Sequence, residues 1–327
     1  MNFASFIRQA NRLGRQKTAF FFLIDFERQK PLISPLESAV ENGIIFSVEG
    51  NTNFNRPVEL PRQKIRFSSE PVSFERYAAG FALVQQELQK GNSYLLNLTY
   101  PSKINTNYNL AQIFQATKAP YKLLLQDQFV CFSPESFIRI RQNQIFTYPM
   151  KGTIDAALPQ AEQQLMQSEK ERREHYTIVD LMRNDLAMVA ENIRVRRFRY
   201  IDKISTNRGE ILQTSSEITG NLTADWQSRI GSILAALLPA GSISGAPKEK
   251  TVSIIRQAEG GKRGYYSGIF GIFNGEELNS AVAIRYIERK DGQLYFRSGG
   301  GITSQSRLQE EYEEYCQKVY LPIHCVE

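Results

Sequence analysis

The order of its apolar runs constrains this chain's fold more than any other feature. Four short strand-like runs follow one another at 121–126, 129–132, 136–140 and 144–148, with no helical pattern between them. Helical spacing appears elsewhere. Residues 73–90 place Phe74, Tyr77, Phe81, Val84 and Leu88 at steps of three or four, and further helices are expected around 109–117, 159–190, 223–238 and 307–319. Other strands are expected near 19–26, 43–48, 63–67, 93–99, 268–274, 279–287 and 293–298. This order speaks against regular βαβ alternation and for an α+β or layered α/β fold.

With 327 residues, 42% apolar and 23% charged, the chain has room for one large domain or two ordinary ones and is not disordered in composition. The expectation is one compact unit, with a short strand-rich part (1–69) packed on a core (70–327). The net charge of +6 is interspersed rather than blocked. It suits an anionic small molecule, and no basic helix or zinc-knuckle spacing points to nucleic acid. Cys131, Cys316 and Cys325 are odd in number and scattered, which implies a reducing compartment. With His175 and His324 they make no usual zinc spacing. The apolar run Phe20 to Ile24, closed by Asp25, is far too short to span a membrane. A cytoplasmic protein without membrane contact is therefore expected.

Lys151, in Tyr148-Pro149-Met150-Lys151-Gly152-Thr153, carries the strongest chemical signal. Set between apolar residues and a Gly-Thr turn, it can lose charge by desolvation and act as a nucleophile. Alone it would read as a solvated loop lysine. Its company is Ser133-Pro134-Glu135, a candidate acid, and two Glu-x-x-Glu pairs, Glu171/Glu174 and Glu311/Glu314. Each pair shares a helix face, and hard oxygen ligands recommend Mg²⁺. Solvated acidic faces neutralised by Arg172, Arg173 or Lys318 would explain the same spacing. Arg285 ends an apolar run, where a guanidinium needs a carboxylate to hold. Gly299-Gly300-Gly301 follows a strand and would let backbone N–H groups approach a carboxylate.

From about Glu70 to Ile323 the chain resembles the chorismate-utilising enzymes. The blocks that carry the resemblance are Ser133-Pro134-Glu135, Pro149 to Thr153, Lys170 to His175, Ile178 to Asp185 and Gly241 to Lys248. Arg263 to Gly268, Ala283-Ile284-Arg285, Gly299 to Ile302 and Glu311 to Lys318 complete it. The resemblance implies a layered sandwich of two antiparallel sheets with outer helices. It also implies Mg²⁺ held by Glu171, Glu174, Glu311 and Glu314. Gly152, Thr153, Ser242, Tyr266, Arg285, Gly299, Gly300, Gly301 and Lys318 are the implied substrate contacts. Lys151 stands where the anthranilate and isochorismate synthases carry alanine, and points to the aminodeoxychorismate synthase component I branch. The water-activating lysine of the isochorismate branch corresponds to Leu95. Gln213 replaces a family histidine, which argues against anthranilate synthase. The implied activity joins ammonia to chorismate, with Lys151 as nucleophile and Glu135 as acid. A separate glutamine amidotransferase subunit would supply the ammonia. Anthranilate or isochorismate synthesis, Schiff-base chemistry at Lys151 and non-catalytic chorismate binding are the alternatives.

Overall fold

The computed structural model describes residues 1–54, 59–61, 63–206 and 209–321, so His324 and Cys325 lie outside the described residues. Two sheets form, with neighbouring strands antiparallel. The first runs Met150–Asp155, Gly209–Asn221, Gln144–Thr147, Ser136–Arg141, Leu278–Val282, Ile269–Phe273, Phe20–Ile24 and Leu32–Pro35; Glu191–Thr206 also pairs with Gly209–Asn221. The second runs Gly245–Ala246, Leu95–Thr106, Gln293–Ile302, Tyr286–Lys290, Phe129–Ser133, Tyr121–Leu125, Ile44–Val48 and Asn51–Thr52; Phe67–Glu70 also pairs with Leu95–Thr106.

Alternation along the strands explains the layers. In Phe20–Ile24, Phe21 and Leu23 pack with Phe46, Leu123, Phe129 and Tyr286 of the second sheet. Phe20, Phe22 and Ile24 face the other way, onto a cluster with helices Phe3–Arg15, Glu169–Ala187 and Ile230–Leu237. A strand covered on both faces has no solvent side to keep polar, hence five apolar residues in a row. Helices Phe74–Gln89, Lys248–Glu259 and Leu308–Gln317 cover part of the outer face of the second sheet, and Leu110–Ala116 packs on another part. The architecture is the layered sandwich with outer helices that the sequence implies.

Two of the chain's crossings between the sheets are short links. Pro134-Glu135 joins Phe129–Ser133 in the second sheet to Ser136–Arg141 in the first. Ala283 to Arg285 joins Leu278–Val282 in the first to Tyr286–Lys290 in the second. The single strand expected at 279–287 is thus two, divided where Arg285 takes a left-handed φ of 51°.

Other expectations need correction. The strand-rich N-terminal part opens with a helix, Phe3–Arg15, whose first turn is capped by the Asn2 side chain accepting from the Ser5 N–H at 2.8 Å. It supplies strands to both sheets. The strand near 63–67 lies at Phe67–Glu70, and the helical stretch 159–190 is two helices, Ala161–Gln167 and Glu169–Ala187. The hairpin Glu191–Thr206 with Gly209–Asn221 and the helix Lys248–Glu259 were not expected at all. Gly299 to Gly301 do not follow a strand but lie within one, paired with Thr99, Leu98 and Asn97. Among the described residues no helix is long and apolar enough to cross a membrane.

Candidate active site

A cavity of about 230 Å³ opens where the two interlayer links meet the end of the glycine strand. Its walls include Lys151, Glu135, Ser242, Tyr266, Arg285 and Lys318, together with Gly299 to Gly301. Residues far apart in sequence converge here because the links join interior strands of the two sheets beside the glycine strand.

Lys151 reaches the cavity through an irregularity in its strand. Met150 pairs with Ser215 but Thr153 with Gln213, so one extra residue is inserted between them. Such a bulge re-aims side chains. Gly152, at φ 83°, completes the bend, and a Cβ there would lie 2.7 Å from a Glu171 carboxylate oxygen. The strand is secured from behind by Thr214, whose hydroxyl donates to the Lys151 carbonyl. His175 Nε2 lies 2.7 Å from the Ser216 hydroxyl. Burial and the Arg199 guanidinium push the His175 pKa down to about 4, so its ring is neutral at pH 7.

Lys151 Nζ donates to Glu174 at 2.9 Å. Burial alone would lower its pKa, but Glu174, with Glu314 and Glu171, outweighs it and holds the amine above its ordinary value. The sequence expectation of a depressed lysine is reversed here, because apolar flanks matter less than the carboxylates around the ammonium. Glu311 also acts on Lys151. Both glutamate pairs therefore gather about one cation.

The helices carrying them are fixed locally. The Ser168 side chain accepts from the Glu171 N–H at 3.3 Å and starts helix Glu169–Ala187. Tyr315, buried in helix Leu308–Gln317, shares a hydrogen bond with Ser102 at 2.7 Å. A Cβ on Gly300 would lie 3.2 Å from both Glu311 and Glu314 carboxylate oxygens, a tight contact that would push that pair aside. Burial raises the Glu171 and Glu311 carboxyls. Burial would raise Glu314 too, but Lys318 and Lys151 outweigh it and lower it. Among the described residues no three acidic, histidine or cysteine side chains are close enough to form a ready metal cage. The oxygen-only donors fit Mg²⁺, and Lys151 and Lys318, paired with Glu174 and Glu314, carry part of the compensating charge.

Glu135 lines the same cavity. Burial raises its carboxyl above the ordinary range, partly offset by Ser242, whose hydroxyl donates to it at 2.6 Å. Ser242 is presented by the turn Gly241–Ser244. A Cβ on Gly241 would crowd Asp185 Oδ2 at 2.6 Å, and Asp185 also binds Lys248 at 2.9 Å.

Arg285 finds no carboxylate among the described residues. Its guanidinium donates to the Lys318 carbonyl at 3.4 Å and lies over the Tyr320 ring. Lys318 Nζ donates to the Gly299 carbonyl at 3.0 Å. The ladder with Tyr286–Lys290 ends at Arg297, so the outer edge of the three glycines faces the cavity. Gly152 and Thr153 do not line it; Thr153 is exposed. Gln213 lies opposite Thr153, outside the lining.

Asn97 and Arg297 line the cavity without having been singled out in the sequence. Asn97 Oδ1 is buried with no hydrogen-bond partner among the described residues. Its signal is its place two residues beyond Leu95, on the same strand face. Arg297 donates to Glu288 at 2.8 Å, and its signal is its position just before Ser298 and the glycine run.

The family model described as chorismate binding enzyme matches residues 6–323. An uncharacterised PabA-like protein of Pasteurella multocida is 63% identical over 99% of this chain and 100% of its own. Aminodeoxychorismate synthase component 1 of Klebsiella aerogenes is 32% identical over 78% of this chain, which spans 59% of that enzyme. The menaquinone-specific isochorismate synthase of Escherichia coli shares the fold, with a TM-score of 0.73, 16% identity, and coverage of 96% of this chain and 80% of that one. With a family match over nearly its whole length, the chain belongs to the chorismate binding enzymes.

Proposed function

We propose that the protein joins ammonia to chorismate, giving 4-amino-4-deoxychorismate and water on the route to 4-aminobenzoate and folate. The observation that carries this reading is Lys151 Nζ, turned by a strand bulge into a cavity that also holds a raised carboxyl, Glu135. The ring would lie between them. The Lys151 amine, after losing the proton it donates to Glu174, adds to C2 while the ring double bonds shift and the C4–O bond breaks. Glu135 gives its proton to that oxygen, which leaves as water. Ammonia then attacks C4, the double bonds shift back, the C2–N bond breaks and the lysine is restored. Glu135 takes back a proton from the new ammonium.

Arg285, Lys318, Tyr266 and the glycine edge are the proposed holders of substrate carboxylate. Mg²⁺ would be held by Glu171, Glu174, Glu311 and Glu314, offsetting carboxylate charge and fixing the substrate's pose. Glu174→Gln and Glu314→Gln should each remove most activity without unfolding the protein, and EDTA should abolish turnover reversibly. Leu95 lines the cavity with a hydrocarbon side chain, which offers water no base and weighs against isochorismate synthesis. Among the described residues His175 contacts the Ser216 and Thr214 hydroxyls and no cysteine, so ammonium salts should support turnover in the isolated chain and glutamine should need a separate amidotransferase. The reading is tested by identifying, by mass, the product from chorismate, Mg²⁺ and ammonium. The 4-amino product supports it; anthranilate, isochorismate or unchanged chorismate rejects it. Borohydride trapping of a carbonyl substrate would favour the Schiff-base alternative.

A further inference from the structure

A second cavity, of about 190 Å³, lies behind the first. Its apolar wall is Phe26, Val252 and Ile255, and its basic residues are Arg28, Arg256 and Arg263. One acid, Glu27, lines it, and Glu259 is ion-paired to its lining residue Arg263; both carboxylates are already committed. Glu27 accepts the backbone N–H groups of Arg263 and Gly264 at 2.8 and 3.0 Å. Glu259 holds Arg263 and accepts from the Thr99 hydroxyl and N–H. Arg28 and Arg256 are both exposed; Arg28 lies over the Phe3 ring, and among the described residues neither is paired with a carboxylate. An anion seated beside this apolar surface would gain charge-assisted hydrogen bonds from two guanidiniums that no carboxylate holds.

We propose that this cavity binds a small carboxylate with an aromatic or apolar body. The carboxylate would engage Arg28 and Arg256, and the body would cover Phe26, Val252 and Ile255. The site is one side chain away from the first cavity. Arg263 lines it and donates to the carbonyls of Asn97 at 2.6 Å and Ile243 at 3.3 Å, both of which line the first. The inference rests on this cavity alone and not on the amination reading, since it needs neither chorismate nor turnover.

The test uses 4-fluorobenzoate followed by ¹⁹F NMR on the full chain without substrate, with 4-fluorobenzyl alcohol as the uncharged control. The double variant Arg28→Gln/Arg256→Gln changes two exposed side chains, and circular dichroism checks its fold. Wild-type protein should bind the carboxylate. The double variant should lose at least tenfold in affinity at that site while keeping any binding that Arg285→Gln removes. The alcohol should bind at least tenfold more weakly than the acid. Equal binding of 4-fluorobenzoate by wild type and double variant, equal binding of acid and alcohol, or no binding by wild type overturns the proposal.

Discussion

Two ionic clusters sit within a few residues of each other in this fold, and they are built on opposite principles. Arg263 and Glu259 are 1% and 5% exposed in their side chains, and the guanidinium also reaches Asn97, Ile243 and Ser267. That cluster is complete: one cation, one anion and carbonyls for the remaining donors. Around Lys151 the count does not close. Four carboxylates face two lysines that pair with them, Lys151 and Lys318, both only partly buried, while Lys170 and Arg199 act on them more weakly. A complete buried pair holds structure together, whereas an anionic surplus around an aimed amine leaves room for a cation and a substrate.

The largest expected effect breaks the incomplete cluster. Lys151→Ala should lower formation of the 4-amino product by on the order of 10⁴-fold or more while leaving the fold intact, as removal of a nucleophile does. The opened space resembles the alanine site of relatives, so slow amination at C2 is the expected residual reaction. An unchanged rate and product would reduce the lysine to a nearby charge.

Glu135→Gln keeps the shape and removes the proton. Its kcat should fall by about 10²–10⁴-fold with KM little changed. A large rise in KM at constant kcat would make Glu135 a positioning group. The same variant has a stability signature. A carboxyl raised in the folded state is more protonated there than in the unfolded chain, so its contribution weakens as pH rises through the folded value. Urea midpoints should favour Glu135→Gln over wild type at neutral pH and converge with it in acid.

In the complete cluster the effect should fall on stability instead. Glu259→Ala leaves a buried guanidinium unpaired and should cost about 3–5 kcal/mol in denaturant unfolding. A loss near that of an exposed pair, under about 1 kcal/mol, would contradict its burial.

The smallest effect concerns His175 beneath Lys151. Its pKa, about 4 when folded against 6.5 ordinarily, means that the unfolded chain takes up a proton first as pH falls. Stability should therefore drop from pH 6.5 towards 4, by roughly 3 kcal/mol at most. His175→Gln should flatten that part of the pH curve, and an unchanged curve would show the imidazole to be exposed to solvent.

The parts of this contrast that the sequence makes legible are those with a strong local signal. The four runs from 121 to 147, the helix with Phe81 and Val84, and both Glu-x-x-Glu faces announce themselves by period. The hairpin does not. Glu191–Thr206 carries Arg194, Arg196 and Arg197 in a strand with several register shifts, so no clean alternation survives to be read. The glycine run was expected after the strand, because glycine has poor strand propensity, and it lies within it instead. At Gly300 a side chain would crowd two carboxylates that pack against the backbone. The fall expected in the Lys151 pKa failed for a related reason: its apolar neighbours are adjacent in sequence, but its carboxylates are adjacent only in space. Phe6, Ala10 and Leu13 did carry a helical spacing at the N-terminus, and the Asn2 cap marks its start.

The central claim is that Lys151 bonds to the substrate, and it is tested most directly by omitting ammonia. Protein mixed with chorismate and Mg²⁺ is acid-quenched, digested and examined by mass spectrometry. The account predicts a Lys151 peptide heavier by chorismate less one water, absent from Lys151→Ala and lost when ammonium is added before the quench. An enzyme that forms the 4-amino product with ammonium but shows no adduct on Lys151 under any quench time would contradict it.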